Sequence, residues 1–235
     1  TGNSDASAYN DDKTSFTDIG SHWARGYIKY CKSLGIIAGK SNTKFCPNDK
    51  VTAQEAAKML LVTLGYNADK AGLVGANWAS RTNALADENG LLEDVNTSFT
   101  SACPRQYAAQ LIYNTIFAPT VVLRDGVYTN ETYTGADNKT VGENYAGDPN
   151  KTIGEKYMGL ESETGMLVAA GKVGLDGKKY DEDQVVLDKV NEDNVAITLS
   201  DVTGDYSALL GQHVKVLHKV TKTGVNSNKD KVYGV

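Results

Sequence analysis

Residues 22–35 read HWARGYIKYCKSLG, and residues 77–90 repeat the same outline as NWASRTNALADENG. In both copies a glycine follows a tryptophan at the same distance, Gly35 after Trp23 and Gly90 after Trp78. Each copy then reaches the start of a second helix. A repeat of this size is typical of a supersecondary unit that is used more than once, with each copy completing the core of its neighbour. The pattern therefore favours a role in binding or assembly over catalysis.

Apolar residues in each copy recur at three- and four-residue steps, which predicts amphipathic helices. In the first copy this pattern predicts a helix from Trp23 to Leu34 that ends at Gly35. A second helix is expected to begin at Thr52, whose side chain would form a capping box with Glu55. Its buried stripe is predicted to contain Ala56, Leu60 and Leu64, with Met59 and Leu61 alongside. The second copy predicts two further helices, starting near residues 78 and 104.

The amino-acid composition and the hydrophobic pattern of the chain change after Pro119. Residues 124–156 are rich in Gly, Asn, Asp and Thr and predict loops, with a short strand near residues 120–123. Beyond Thr164 the sequence predicts five strands, at residues 165–173, 184–188, 194–199, 213–220 and 231–235. We therefore predict an α+β, multi-domain fold in which helix–loop–helix repeats precede a small all-β barrel or sandwich.

These patterns divide the chain into five segments. We expect a polar linker at residues 1–15, a first repeat at 16–66, a second, degenerate repeat at 67–118, a loop-rich connector at 119–160 and a small β domain at 161–235. The first residues lack the basic and apolar regions of a signal peptide. They resemble the cut end of a longer protein, and a strand that runs into Val235 indicates a similar boundary there.

Composition excludes several classes of function. The net charge of −5 and the absence of a Lys/Arg run argue against a nucleic-acid partner. No apolar stretch is long enough to span a membrane. The three cysteines, Cys31, Cys46 and Cys103, cannot all pair, so buried thiols are expected, with a Cys31–Cys46 disulfide as the alternative.

No pattern typical of a catalytic or metal centre is present. His22, His213 and His218 are too few and too scattered for zinc, and the last two are predicted to face opposite sides of one strand. The acidic cluster at residues 181–183 lacks the ligand spacing of a calcium loop. We expect no catalytic residue, no metal and no cofactor, although sequence alone leaves open a carboxylate pair for glycoside hydrolysis.

A set of residues in the first copy resembles the S-layer homology (SLH) repeat of bacterial cell-surface proteins. They are Phe16-Thr17-Asp18-Ile19, His22-Trp23-Ala24, Ile28, Gly35-Ile36-Ile37-Ala38-Gly39, Phe45, Pro47-Asn48, Val51-Thr52 and Glu55. The resemblance is close over residues 16–66 and looser over about 74–118. It implies helical repeats, usually three, whose grooves bind a secondary cell-wall polymer, commonly a pyruvylated glycan.

The resemblance implies a non-catalytic module that anchors a secreted bacterial surface protein of the S-layer type, outside the cell. Its expected partner is a peptidoglycan-linked polysaccharide, and self-association is also expected, because a missing third lobe would expose an apolar face. That face would be covered by residues 1–15, by residues 119–160 or by a second copy. Two alternatives remain: the attachment module of a surface glycanase whose catalytic domain is not in this chain, or a β domain that itself binds carbohydrate or host.

The resemblance also points to site residues. The candidate glycan-binding residues are Lys40, Ser41, Asn42, Lys44 and Trp23. Because Ala53 and Pro104 replace the arginine that the family associates with the glycan's acidic group, Lys40 or Lys44 would meet that group. The residues expected to be structural are Asp18, Trp23, Gly35, Gly39, Thr52, Glu55, Trp78 and Gly90. Both tryptophans are expected to pack between the helices of their own copy, with sugar stacking as the alternative, and Asp18 to cap or brace the Trp-containing turn.

Overall fold

The computed structural model describes residues 5–132, 151–188, 196–224 and 227–235. The chain divides into two compact units, residues 1–153 and residues 154–235. The first unit contains α-helices and the second an antiparallel β-sheet, so the predicted α+β class is confirmed. Residues 1–4 of the predicted linker, 133–150 of the predicted connector and the start of the strand predicted at 194–199 lie outside the described residues.

Among the described residues of the first unit, four α-helices form two helix–loop–helix pairs. Helices α1 (Arg25–Ser33) and α2 (Ala53–Leu64) belong to the first copy of the repeated pattern. Helices α3 (Trp78–Glu88) and α4 (Arg105–Phe117) belong to the second copy. The predicted helices are therefore present, although α1 begins two residues after Trp23.

The first helix of each copy is closed in the same way. Gly35 and Gly90 have φ angles of 72° and 70°, which lie in the left-handed region that glycine adopts at little cost. The N–H group after each glycine then donates to a carbonyl five residues back, from Ile36 to Cys31 at 3.0 Å and from Leu91 to Ala86 at 2.8 Å. This shared Schellman-type closure is the structural counterpart of the repeated Trp-to-Gly spacing.

Helix α2 begins with the predicted capping box. The Glu55 N–H donates to Thr52 Oγ1 at 3.2 Å, and the Thr52 N–H donates to Glu55 Oε2 at 2.8 Å. The helix ends at Gly65, whose φ angle is 119°. A Cβ at Gly65 would collide with the carbonyl oxygen of Val121, so close backbone packing as well as conformation requires glycine there.

The core of the first unit lies where α2 packs against both α3 and α4. The second helices of the two copies, α2 and α4, are therefore neighbours. The buried residues of α2 are Ala53, Ala57, Leu61 and Leu64. The predicted burial of Leu64, with Leu61 alongside, is confirmed, whereas the predicted burial of Ala56 and Leu60 is wrong, because both are only partly buried. Small side chains at 53 and 57 allow close helix approach on this side, which periodicity alone did not reveal.

Helix α1 buries only some of its apolar residues. Trp23 is 79% exposed, Tyr27 41% and Leu34 47%, whereas Gly26 and Ile28 are buried. The prediction that Trp23 packs between α1 and α2 is therefore wrong. Ile28 packs in a small cluster with Phe16 and Ile19, and Gly26 lies against the backbone of Ala6, so the side of α1 with Trp23 is left exposed.

Residues 5–15 are accordingly not a free linker. The chain makes a short 3₁₀ turn at Ser7–Tyr9, and Ala6 beside it is buried. The ring centroid of Tyr9 lies 4.5 Å from that of Tyr30, and Lys29 Nζ donates to the carbonyl of Asn10 at 2.5 Å. Part of the predicted linker thus covers one face of α1.

A hairpin follows α4, with strands β1 (Val121–Arg124) and β2 (Val127–Asn130). Val121 and Ile153 are buried in the helical core. The ring of Tyr128 lies 4.7 Å from that of Tyr66, and its hydroxyl accepts a hydrogen bond from the N–H of Asn67 at 3.0 Å. Part of the predicted connector therefore packs on the helical unit.

The second unit is built on one antiparallel sheet. Its strands are β3 (Glu161–Ala170), β4 (Val173–Gly174), β5 (Val185–Asp188), β6 (Ala196–Leu199), β7 (His213–Gly224) and β8 (Ser227–Gly234). The order is β6-β5-β3-β7-β8, with β4 paired to β3. The edge strands β6 and β8 approach each other, so the sheet curls like part of a barrel. His218 is buried and His213 exposed, as their spacing predicts.

Candidate functional site

A groove of about 350 Å³ lies between the loop of the first copy, α2 and the start of α3. Its walls come from residues 36–40, 45–47 and 49–51, from Glu55, Lys58 and Met59 of α2, and from Val74, Gly75 and Trp78. This volume is near the lower end of the roughly 300–1,000 Å³ typical of small-molecule sites. The groove is therefore assembled from both copies, with α2 on one side and the tryptophan of the following copy on the other.

Asp18 holds the loop that forms one wall of the groove. Its carboxylate accepts hydrogen bonds from the N–H groups of Phe45 at 3.0 Å and Cys46 at 2.8 Å. These bonds lower the pKa of Asp18. Cys46 has a φ angle of 62°, unusual for a residue with a side chain. The expectation that Asp18 braces the Trp-containing turn is corrected, because its carboxylate instead fixes the loop that precedes α2.

Lys40 and Glu55 form an ion pair in the groove. Lys40 Nζ lies 2.5 Å from Glu55 Oε1, while Glu55 Oε2 serves the capping box. The hydrogen bond that Lys40 donates to Glu55 raises the pKa of Lys40. Burial alone would raise the pKa of Glu55, but the hydrogen bonds from Lys40 and Thr52 outweigh it and leave that pKa lowered. Glu55 therefore remains a carboxylate and is unsuited to donating a proton.

Lys58 lies on the same helix, three residues after Glu55, and faces Trp78. Its Nζ is 5.5 Å from the centroid of the Trp78 ring, within reach of a cation–π contact. Desolvation lowers the pKa of Lys58, against the opposing charges of Asp69 and Glu55. An indole and an ammonium group thus lie close together across the groove, an arrangement that suits a ring with an anionic substituent.

The structure brings together only part of the predicted site. Gly39 and Lys40 line the groove, whereas Ser41, Asn42 and Lys44 lie in the exposed turn beyond it. Ser41 Oγ accepts a hydrogen bond from the N–H of Lys44 at 3.1 Å, which stabilises that turn. Trp23 lies outside the groove, with its ring 5.8 Å from that of His22 and 6.4 Å from that of Tyr27.

Lys58 and Trp78 line the groove but are not among the glycan-binding residues predicted from the sequence. Lys58 occupies an ordinary polar position of an amphipathic helix, and the pattern predicts that Trp78 packs within its own copy. The available signal was the repeat itself, because adjacent copies place the tryptophan of one against the second helix of the other.

Charge in the groove is unevenly distributed. The groove is lined by Lys40, Lys50 and Lys58 and by Asp49 and Glu55, so three cations accompany two carboxylates. The remaining wall is largely apolar, including Ile36, Met59 and Trp78. An apolar floor with a few placed charges is typical of ligand sites, and tryptophan faces suit the apolar faces of sugar rings.

All three cysteines are free thiols, so the alternative Cys31–Cys46 disulfide is not formed. Burial raises the pKa of Cys31 and of Cys103. Within the described ranges, no group of three or more His, Cys, Asp or Glu side chains is placed to hold a metal ion. In the same part of the chain, no helix has the length and apolar character needed to cross a bilayer.

Residues 15–57 match the family model for the S-layer homology domain. No curated protein and no solved structure matches the chain. Residues 15–57 are therefore an S-layer homology domain, as the sequence resemblance predicted, and the second copy lies outside the matched residues. Domains of this family are non-catalytic modules for anchoring at the cell wall, so the protein is associated with the cell surface.

Proposed function

We propose that the groove between the two copies binds secondary cell-wall polysaccharide and so anchors an extracellular, S-layer-type structural protein. The observation that carries this proposal is the position of Trp78, whose ring lies in the groove beside lysine side chains, next to the matched domain. We also propose that residues 67–118 are a degenerate second repeat. The shared closure at Gly35 and Gly90 supports this assignment.

The groove has the chemistry of a sugar site. An indole offers a flat apolar face to the C–H face of a pyranose, and the lysines supply donors for hydroxyl or acidic oxygens. Because α2 packs against α3, the two sides of the groove are fixed relative to each other before a ligand binds. Such preorganisation lowers the entropic cost of binding.

Sedimentation with purified cell-wall sacculi from the source bacterium tests the proposal. The whole chain is expected to sediment with sacculi. Taking as a guide the about 1–3 kcal/mol that a base gains by stacking on an aromatic ring, we expect Trp78→Ala to weaken this binding by about 5- to 150-fold. Trp23→Ala is the matched control, because it removes the equivalent tryptophan of the first copy, which lies outside the groove.

The expected result is loss of binding in the Trp78 variant and retained binding in the Trp23 variant, with unchanged helical circular dichroism in both. Failure of the unmodified chain to sediment, or equal binding by all three proteins, would contradict the proposal. The self-association expected from the sequence stays a prediction, motivated by the exposed apolar residues Trp23, Tyr27 and Leu34 on α1.

A further inference from the structure

We propose that Lys58 is the residue by which the groove selects sugars that carry an anionic substituent, a carboxylate or a phosphate. Of the two cations expected from sequence to do this, Lys40 is paired with Glu55 and Lys44 lies outside the groove. The inference rests on the proposed function, because it assigns the charge selectivity of the same groove.

Lys58 has charge but no counter-ion. In the part of the chain that the structure describes, no carboxylate lies within ion-pair distance of its Nζ. Asp69 and Glu55 act on it only at longer range. A partly desolvated ammonium group without a partner is less stable than one that is hydrated or paired. An anion that enters the groove therefore gains more at Lys58 than at a surface lysine.

Lys40 is in the opposite situation. Its Nζ lies 2.5 Å from Glu55 Oε1, and Glu55 is itself fixed by the backbone of Thr52. An anionic ligand at Lys40 would have to displace this carboxylate or lie beside it, and like charges at contact distance repel. The capping box thus keeps the Glu55 carboxylate on Lys40, whereas no ion pair is formed by Lys58 in the described part of the chain.

Trp78 places the sugar next to Lys58. The 5.5 Å separation between Lys58 Nζ and the centroid of the indole allows a single sugar residue to contact both groups. The ring would provide affinity for sugars in general, and Lys58 would discriminate between acidic and neutral ones. This division of roles predicts that removing the charge changes selectivity more than it changes stacking.

Nuclear magnetic resonance of the indole N–H groups tests this assignment in the whole chain. The protein has two tryptophans, Trp78 in the groove and Trp23 outside it, so the second signal is an internal control. Glucuronate, glucose 6-phosphate and glucose serve as carboxylate, phosphate and neutral probes. The Trp78 signal is expected to shift with at least one acidic probe at about a tenfold lower Kd than with glucose, as a charge-assisted hydrogen bond provides.

Lys58→Met is expected to abolish the preference for acidic probes while thermal unfolding is unchanged, since the apolar stem is retained. Lys58→Arg should keep the preference, and Lys44→Met, which changes an exposed lysine beyond the groove, should match the unmodified protein. The charge-neutral pair Lys40→Met with Glu55→Gln should also keep the preference, because glutamine can still complete a capping box.

The response to the two acidic probes identifies which anion the groove prefers. The assignment is overturned if Lys58→Met retains the preference, if the Lys40/Glu55 double variant loses it, or if the unmodified protein binds acidic and neutral probes alike. Binding to sacculi without acid preference would leave the proposed function intact and refute only the role of Lys58. Absence of binding to both sacculi and probes would refute both.

Discussion

Removal of the Thr52 hydroxyl tests whether the capping box contributes to the stability of the helical unit. In Thr52→Ala the Glu55 N–H loses its acceptor, Thr52 Oγ1, while the reciprocal bond from the Thr52 N–H to Glu55 Oε2 is kept. Substitutions of this kind at an N-cap cost typically about 1 kcal/mol, within a range of roughly 0.5–2 kcal/mol. Thr52 is only partly buried, so little is added for lost packing.

Urea unfolding followed by tryptophan fluorescence measures this cost in the intact chain. The protein contains two tryptophans, Trp23 and Trp78, and both belong to the helical unit, so the signal does not report the β-sheet unit. For an m-value of about 2 kcal/mol/M, a loss of about 1 kcal/mol lowers the midpoint by about 0.5 M. Thr52→Ser, which keeps the acceptor, should remain close to the unmodified protein.

The variant Glu55→Gln separates capping from the ion pair. Glutamine can complete the capping box but carries no charge for Lys40. The Lys40 and Glu55 side chains are 48% and 30% exposed, so we discount their pairing to less than about 1 kcal/mol. Two results would refute the assigned role of the Thr52 hydroxyl. One is an unfolding midpoint of Thr52→Ala equal to that of the unmodified protein. The other is a midpoint of Thr52→Ser as low as that of Thr52→Ala.

Three further outcomes are expected from the same fluorescence assay. Trp23→Ala should change the free energy of unfolding by less than about 0.5 kcal/mol, because the Trp23 side chain is largely exposed. Leu61→Ala should lower it by about 2–5 kcal/mol, because Leu61 is fully buried. Similar losses in the two variants would show that Trp23 is packed. Gly65→Ala should lower the unfolding free energy by about 2 kcal/mol or more and Gly35→Ala by about 1 kcal/mol. Both glycines have positive φ angles, but only a Cβ at position 65 would also collide with the backbone of Val121. Equal losses in the two variants would exclude that collision. The pKa of Asp18 in the folded protein is below its usual 3.8, so the carboxylate stabilises the fold above that value and this contribution is lost as the pH falls through the lower folded pKa. The difference in unfolding free energy between the unmodified protein and Asp18→Asn should therefore shrink between about pH 5 and pH 2. A difference that stays constant with pH would contradict this linkage.

The ends of the helices were predictable because they are set by local chemistry. A threonine followed three residues later by glutamate specifies the start of α2 through bonds among neighbouring backbone and side-chain groups. Gly35 and Gly90 specify the ends of α1 and α3, since a left-handed residue is needed there whatever the helix packs against. These features depend on a few consecutive residues, so the sequence contains all of the necessary information.

What covers each helix face was not predictable from periodicity. Apolar residues of α1 recur at helical spacing, yet Trp23 and Leu34 are exposed. The segments that cover α1 contact Gly26 and Ile28 instead. In α2, Leu64 is buried as predicted, but Ala53 and Ala57 are buried in place of Ala56 and Leu60, since α3 and α4 pack against that side. Both differences arise from tertiary contacts, which a one-helix pattern does not contain.

The two tryptophans show why the candidate site belongs to a pair of copies and not to one. Trp23 and Trp78 occupy equivalent positions in the repeated pattern, yet the first is exposed beside His22 and Tyr27, whereas the second lies in a groove against Lys58 of α2. The difference comes from the preceding helix: α2 flanks the start of the second copy and supplies the opposite wall. A motif confined to a single repeat therefore identifies the scaffold, while the residues that would contact a ligand come from the junction. Lys58 and Trp78, which belong to successive copies, therefore line the same groove, whereas Trp23 and Lys44 lie outside it.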